Sequence, residues 1–361
     1  AIGYQAGYSI TSGQRQTFLG YQAGYSSTTG DENVFIGYQA GYSNVDNLAN
    51  IYIGKQAAYN IGDGSYNVAI GEEAMKSTGT AANNHPNYNV AVGNQAAYNL
   101  TTGDYNVAIG SRAGYNTTGY NNNTSVGYYA MGNTAPGANN VAIGYKALIS
   151  NESNAASNNN PVNSVAVGYE ALASVSTADG NVAIGYQAMS GSEGSNGGYN
   201  VAIGYQAGAT ASGSYNVLVG TQAGFGSQGA GPDFTGNRNT FVGNEAGEYS
   251  TTAEGSVAIG DQALHQQLRA TEAVAIGKEA LSRSTSDLHY GTIAIGAYAM
   301  QESIGNTDYS VAIGYKALQG QYNSEPFGVF IGGFAGMAAS SSFESVMIGY
   351  KSGQYGGVSN N

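Results

Sequence analysis

A glycine preceded by Ile, Val or Leu returns twenty times between Gly3 and Gly349, and 11 of the 19 intervals are 17 residues long. A period this short, sustained along the whole chain, restricts it to folds in which each unit buries itself chiefly against its neighbours. With that glycine as position 0, position −3 is β-branched wherever it exists. Position +3 is Ala in 19 copies, and position −4 is Asn in 11 of 19. The consensus is N-V-A-I-G-Y-Q-A-G-Y, followed by a variable tail such as Ser26 to Glu32. The repeats make residues 1–353 one continuous domain, with 354–361 a tail or a junction. Because Ala1 falls inside a motif, the chain is expected to be a processed product or an excised segment.

The triplet before the glycine is a short β-branched strand free of charge, and residues two apart share a face of a strand. All five prolines (Pro86, Pro136, Pro161, Pro232 and Pro326) lie outside the motif, as a fully bonded central ladder requires. The Q-A-G-Y segment is expected to form a second short strand with its Ala inward. The fold class is therefore all-β, a two-sheet parallel β-solenoid of about 20 coils stacked roughly 4.8 Å apart. Helical repeats need units of about 33 residues or more and an apolar stripe of period 3.6. Neither is present.

Placing −3 and −1 in the coil interior sends −2 outward. That position is Ala in 12 of 20 copies and otherwise large and apolar, with Ser125 the exception. A two-sheet coil has no layer of its own to cover such a column, so a neighbouring chain is expected to do so. The expected inter-chain packing residues are Phe18, Phe35, Tyr52, Ala69, Ala108, Ala183, Leu218, Phe241, Phe330 and Met347. A homotrimer is the expected assembly.

Composition narrows the function. Eleven basic against 23 acidic residues give a net charge of −12, which argues against nucleic acid and anionic membrane surfaces as partners. No apolar run reaches the roughly 18 residues of a membrane span. The absence of cysteine excludes disulfides and thiolate sites and fits an extracellular location.

At N-V-F-I-G-Y-Q-A-G-Y (Asn33–Tyr42) and N-V-A-I-G-Y-Q-A (Asn181–Ala188) the sequence resembles the head repeats of trimeric autotransporter adhesins of the YadA type. It is even more similar to the longer, tyrosine-rich repeats of phage tail fibres. The resemblance covers Ala1 to Gly353 and implies a left-handed parallel β-roll assembled as a trimer, with a role in attachment to surfaces. The adhesin head coil is shorter than 17 residues, and no stalk, barrel anchor or intramolecular chaperone accompanies the repeats.

No calcium repeat, phosphate loop or zinc-protease motif is present, and His85, His265 and His289 have no ligand-like spacing, so each is expected on the surface or in a loop. No metal or cofactor is expected. No column repeats an acid, so the chain is read as non-enzymatic. Tyrosines recur at +1 and +5 and are read first as coil-to-coil stacks, second as a surface for sugar rings. Insertions in the tails, at one edge of the solenoid, are the recognition candidates. They carry His85 and Tyr88, Phe234 and Arg238, and His289 and Tyr290, expected to meet a host-surface glycan or protein. The expected function is a structural and adhesive segment of an extracellular fibre, viral or cellular. The alternatives are a flat-faced ice- or carbohydrate-binding solenoid and, behind them, a polysaccharide-degrading fibre. Thr clusters in turns, not in outward rows on the strand, which counts against the ice-binding alternative.

Overall fold

The computed structural model describes residues 1–132, 137–149, 161–174, 179–191, 197–226, 234–266, 269–283, 289–303, 307–320, 327–338 and 345–354. Pro136, Pro232 and Pro326, and nearly all of the Asn151–Pro161 insertion, lie outside them. The chain divides into two units, Ala1–Gly180 and Asn181–Asn361. Each is built from the same coil of a parallel β-solenoid. The first holds nine three-residue strands, from Thr17–Leu19 to Val165–Val167, and the second ten, from Val182–Ile184 to Val346–Ile348. The only helical element among the described residues is a single 3-10 turn, Ala81–Asn83.

Each strand is the tripeptide before an invariant glycine, and like positions pair in parallel register. Val34, Phe35 and Ile36 face Ile51, Tyr52 and Ile53. In the second unit Val201, Ala202 and Ile203 face Val217, Leu218 and Val219. The ladder continues past both ends of the tripeptide: Val34 N–H donates to the Asn50 carbonyl, and Gly54 N–H to that of Ile36, both at 2.8 Å. The glycine is required by sterics as well as conformation. At Gly93 φ is +135°, and a Cβ would lie 2.6 Å from the Gly110 carbonyl oxygen of the next coil.

The facing of the strand is the reverse of the sequence expectation. Phe35, Tyr52, Ala69, Ala183, Leu218, Phe241 and Phe330 are fully buried in their own coil, and Phe18, Ala108 and Met347 nearly so. None of these ten packs outward toward a partner. The −3 and −1 residues, Val34 and Ile36 for example, are half-exposed instead. The physical reason is parity. Asn at −4 is buried along the first unit at Asn33, Asn50, Asn67, Asn89, Asn106, Asn123 and Asn140, and −2 shares its face. The interior of a 17-residue coil is also narrow. Opposite the strand it is lined by the invariant Ala at +3, such as Ala23, Ala40 and Ala57, so a methyl at −2 fits where two large β-branched side chains would not.

Asn at −4 closes the interior. The Asn33 Oδ1 accepts from the Asn50 backbone N–H at 2.9 Å, while Asn33 Nδ2 donates to the Asn47 carbonyl at 2.9 Å. Asn67, Asn89, Asn106 and Asn123 continue the relay one coil at a time. A buried amide that spends both ends on backbone groups satisfies donors and acceptors that no water reaches.

The second limb is not the strand expected from Q-A-G-Y. Gln39 at +2 has φ 54° and Gly41 at +4 has φ 60°, left-handed values that a pleated strand cannot contain. This limb bonds to both neighbours in turn: Gln39 N–H to the Tyr21 carbonyl, and Gly41 N–H to that of Ala57. On its surface the +2 amides form a ladder, Gln22 to Gln5, Gln39 to Gln22 and Gln56 to Gln39, at 2.9 to 3.1 Å.

Candidate functional site

Reversal of the strand leaves two rows of β-branched side chains on the surface. At −1, Ile70 is 36% exposed and Ile109 41%, with Ile143, Ile184, Ile203 and Ile259 alike. Tyrosines flank these rows in the sequence on both sides. At +1, Tyr4 stacks on Tyr21 and Tyr21 on Tyr38 with ring centroids 5.3 and 5.2 Å apart. Tyr128, Tyr145 and Tyr169 repeat the arrangement, as do Tyr186 and Tyr205 in the second unit. At −5, Tyr66, Tyr88 and Tyr105 stack at 4.8 and 5.1 Å, and Tyr199 on Tyr215 at 5.3 Å. A ring within a stack, such as Tyr21, Tyr88 or Tyr145, has a neighbour on both faces and is still exposed. The coil spacing itself supplies the offset stacking distance.

This surface carries few charges, and those near it are arranged in coil-to-coil pairs. Lys55 meets Glu72 at 2.9 Å, Lys278 meets Asp261 at 3.3 Å, and Arg15 meets Glu32 at 3.0 Å. Hydrogen bonding from Asn244 and attraction from Lys278 hold the Asp261 carboxyl below its ordinary range. Such solvated pairs add little to stability. The Val/Ile rows are therefore the surface feature that water accommodates worst.

The six loop candidates separate. His85 is exposed, and Tyr88 belongs to the −5 stack. Phe234 is fully buried, its ring 5.7 Å from that of Phe241, so it cannot meet a receptor beside Arg238. Arg238 stands outside and bonds Glu254 at 3.2 Å. His289 and Tyr290 form a two-residue strand against Ala270–Thr271, and alternation on that strand parts them. Tyr290 is exposed, while His289 points inward, 1% exposed, with Nδ1 on the Thr307 hydroxyl at 2.5 Å. Burial pushes the His289 imidazole down to about 4, against a smaller opposing pull from Asp308. His265, expected on the surface or in a loop, is buried. Ten nominal packing residues and two nominal receptor residues thus belong to the interior.

A shallow depression of about 220 Å3, lined by Tyr309, Phe327 and Val346 among others, falls short of the roughly 300 Å3 of an ordinary small-molecule pocket. Among the described residues no helix is long and apolar enough to cross a membrane. No known protein-family profile matches the chain, and no curated protein matches it significantly in sequence. Fold and surface together define a repeat protein of the parallel β-solenoid class, with an apolar outer strand face set among tyrosine stacks.

Proposed function

We propose that the chain is a structural and adhesive segment of an extracellular fibre, non-enzymatic, that associates with copies of itself through the Val/Ile face of its strands. The observation that carries this reading is the half-exposed pair of rows at −3 and −1, repeated coil after coil in both units. Each isolated Ile on a surface is ordinary; an aligned series is a contact surface. The need for a covering chain, first argued from −2, passes to these two rows. A symmetric homotrimer is the assembly proposed, each copy presenting the same rows toward a common axis. The tyrosine stacks and the exposed tail residues His85, Arg238 and Tyr290 are the surface that meets a host-surface glycan or protein in this reading.

Sedimentation equilibrium on the purified chain tests the assembly. A single species near three times 36.8 kDa is expected, and it should dissociate when Ile109→Lys and Ile143→Lys are combined. A monodisperse 36.8 kDa particle at micromolar concentration would overturn the self-association. Retention of the labelled trimer on host cells, competed by unlabelled protein, tests attachment. Release of new reducing ends from surface polysaccharide would overturn the non-enzymatic reading.

A further inference from the structure

In one pair of adjacent coils the column at +5 changes character. Along most of the chain +2 is an amide or a lone charge, and +5 is often Tyr. At the glycines Gly243 and Gly260 the +5 residues are Glu248 and His265, and the +2 residue before Glu248 is Glu245. Coil stacking brings these three together. One ligand-capable atom from each lies within 4.8 Å of the other two, and His265 Nε2 is 3.0 Å from Glu248 Oε2. Glu248 is 5% exposed and His265 7%.

Three observations need a common explanation. Two carboxylates sit close together, one of them buried, and among the described residues no Lys or Arg is ion-paired to either. Burying a carboxylate without a compensating cation is costly. His265 is itself buried with Nε2 turned to Glu248, the nitrogen that an ion shared by the two would take, and its Nδ1 has no hydrogen-bond partner either way. The 3.0 Å between Nε2 and Oε2 is also close to the about 3.3 Å that separates two ligands of one tetrahedral ion at bond lengths near 2.0 Å. The third ligand-capable atom, from Glu245, lies within 4.8 Å of both. Glu245 already has its second oxygen held by Gln262 Nε2 at 2.6 Å, the kind of outer contact that orients a ligating carboxylate.

We propose that Glu245, Glu248 and His265 form a binding site for a divalent cation of the zinc class. One imidazole and two carboxylates suit Zn2+ better than Mg2+ or Ca2+, which favour all-oxygen shells. The ion neutralises the buried carboxylate and ties two successive coils across their side chains, which the Tyr–Tyr contacts of other coils do by stacking.

The test is calorimetric titration of the chelator-stripped full chain with Zn2+ near pH 7.5. One equivalent should bind, and Zn2+ should raise the melting temperature. Glu245→Gln restores the residue most common in its column and so keeps the fold. It should weaken Zn2+ at least tenfold, as should His265→Asn, while His85→Ala leaves binding unchanged. Absence of stoichiometric uptake, uptake indifferent to Glu245→Gln and His265→Asn, dependence on His85, or tighter binding of Ca2+ than of Zn2+ would each overturn the proposal.

Discussion

Two stretches of the first unit fill the same interior in opposite ways. From Phe18 through Phe35 to Tyr52 the strand supplies a large ring, and the rings stack at 5.1 and 4.7 Å. In the coils of Ala69, Ser125, Ala142 and Ala166 the strand supplies Ala or Ser, and the bulk comes from the opposite limb as Met75, Met131, Leu148 and Leu172 at +4, while the coils of Ala91 and Ala108 have Ala97 and Gly114 there. In the Phe18 and Phe35 coils +4 is glycine, and in the Tyr52 coil it is the next smallest residue, Ala58. A Cβ at Gly24 would lie 2.8 Å from the Phe18 ring, and one at Gly41 2.7 Å from the Phe35 ring. The same exchange governs the second unit, with Phe241 and Gly247 in one coil and Ala258 and Leu264 in the next. Six of the seven coils with a large −2 residue have Gly at +4. No coil has a large residue at both −2 and +4, so one shared interior volume limits the two positions.

The strongest way to break both kinds of coil alike is the invariant glycine. Gly93→Ala adds a Cβ against backbone that cannot move aside, at a φ unfavourable to any side chain; a loss of about 4 kcal/mol or more is expected, seen as collapse of amide protection in adjacent coils. Next come changes that separate the two kinds. Phe35→Ala should cost about 3–5 kcal/mol by leaving a cavity. Adding Gly41→Met, which converts an aromatic coil into an aliphatic one, should recover at least about 1 kcal/mol despite the left-handed φ that Met75 already tolerates. Hydrogen exchange of the Val34 amide reads both, and a strictly additive double variant would sink the volume rule.

A polar interior sharpens the comparison from another side. His289 is held neutral by burial, with its pKa lowered from 6.5 to about 4. The unfolded chain therefore takes up a proton that the folded coil refuses. Stability conferred by the neutral ring is complete above about pH 6.5 and declines as pH falls toward 4. At about 1.4 kcal/mol per unit, the loss should be about 3 kcal/mol. His289→Gln should flatten that part of the pH profile of thermal melting; an unchanged profile would refute the assignment. The smallest effect is expected at Tyr52, the aromatic coil with Ala58 in place of glycine. Its buried hydroxyl lies beside the Asn67 and Asn44 side chains without a well-formed hydrogen bond to either, so Tyr52→Phe should change stability by no more than about 1 kcal/mol in the same exchange experiment.

The period and the parallel strand were legible because each is written in a column of nearly invariant type, and the structural Asn ladder because Asn holds −4 in 11 of 19 copies. The facing of the strand was legible too, but only through parity. Asn33 and Phe35 are two apart, so an inward amide forces an inward ring, and that constraint outranks the preference for burying the larger Val and Ile. The second limb was hidden by chemistry: Gln39 occupies a left-handed φ, and nothing about glutamine signals one. Exchange of bulk between Phe35 with Gly41 and Ala69 with Met75 could have been found by comparing columns across copies, since large at one place accompanies absent at the other. Glu248 and His265 are 17 residues apart, which marks them as neighbours once coil register is accepted. Burial of His289 and Phe234 had no such marker, because both follow insertions that shift the count.

From Gly3 to Gly144 a Cβ on the strand-end glycine would strike the carbonyl of the glycine one coil on, so the close approach of successive coils is a property of the main chain. Side chains decide what fills a turn, not how far apart turns stand. Whole 17-residue segments can therefore be duplicated or deleted in the gene without retuning their flanks, and a lineage can alter reach in uniform increments, as a ruler is cut at any of its marks.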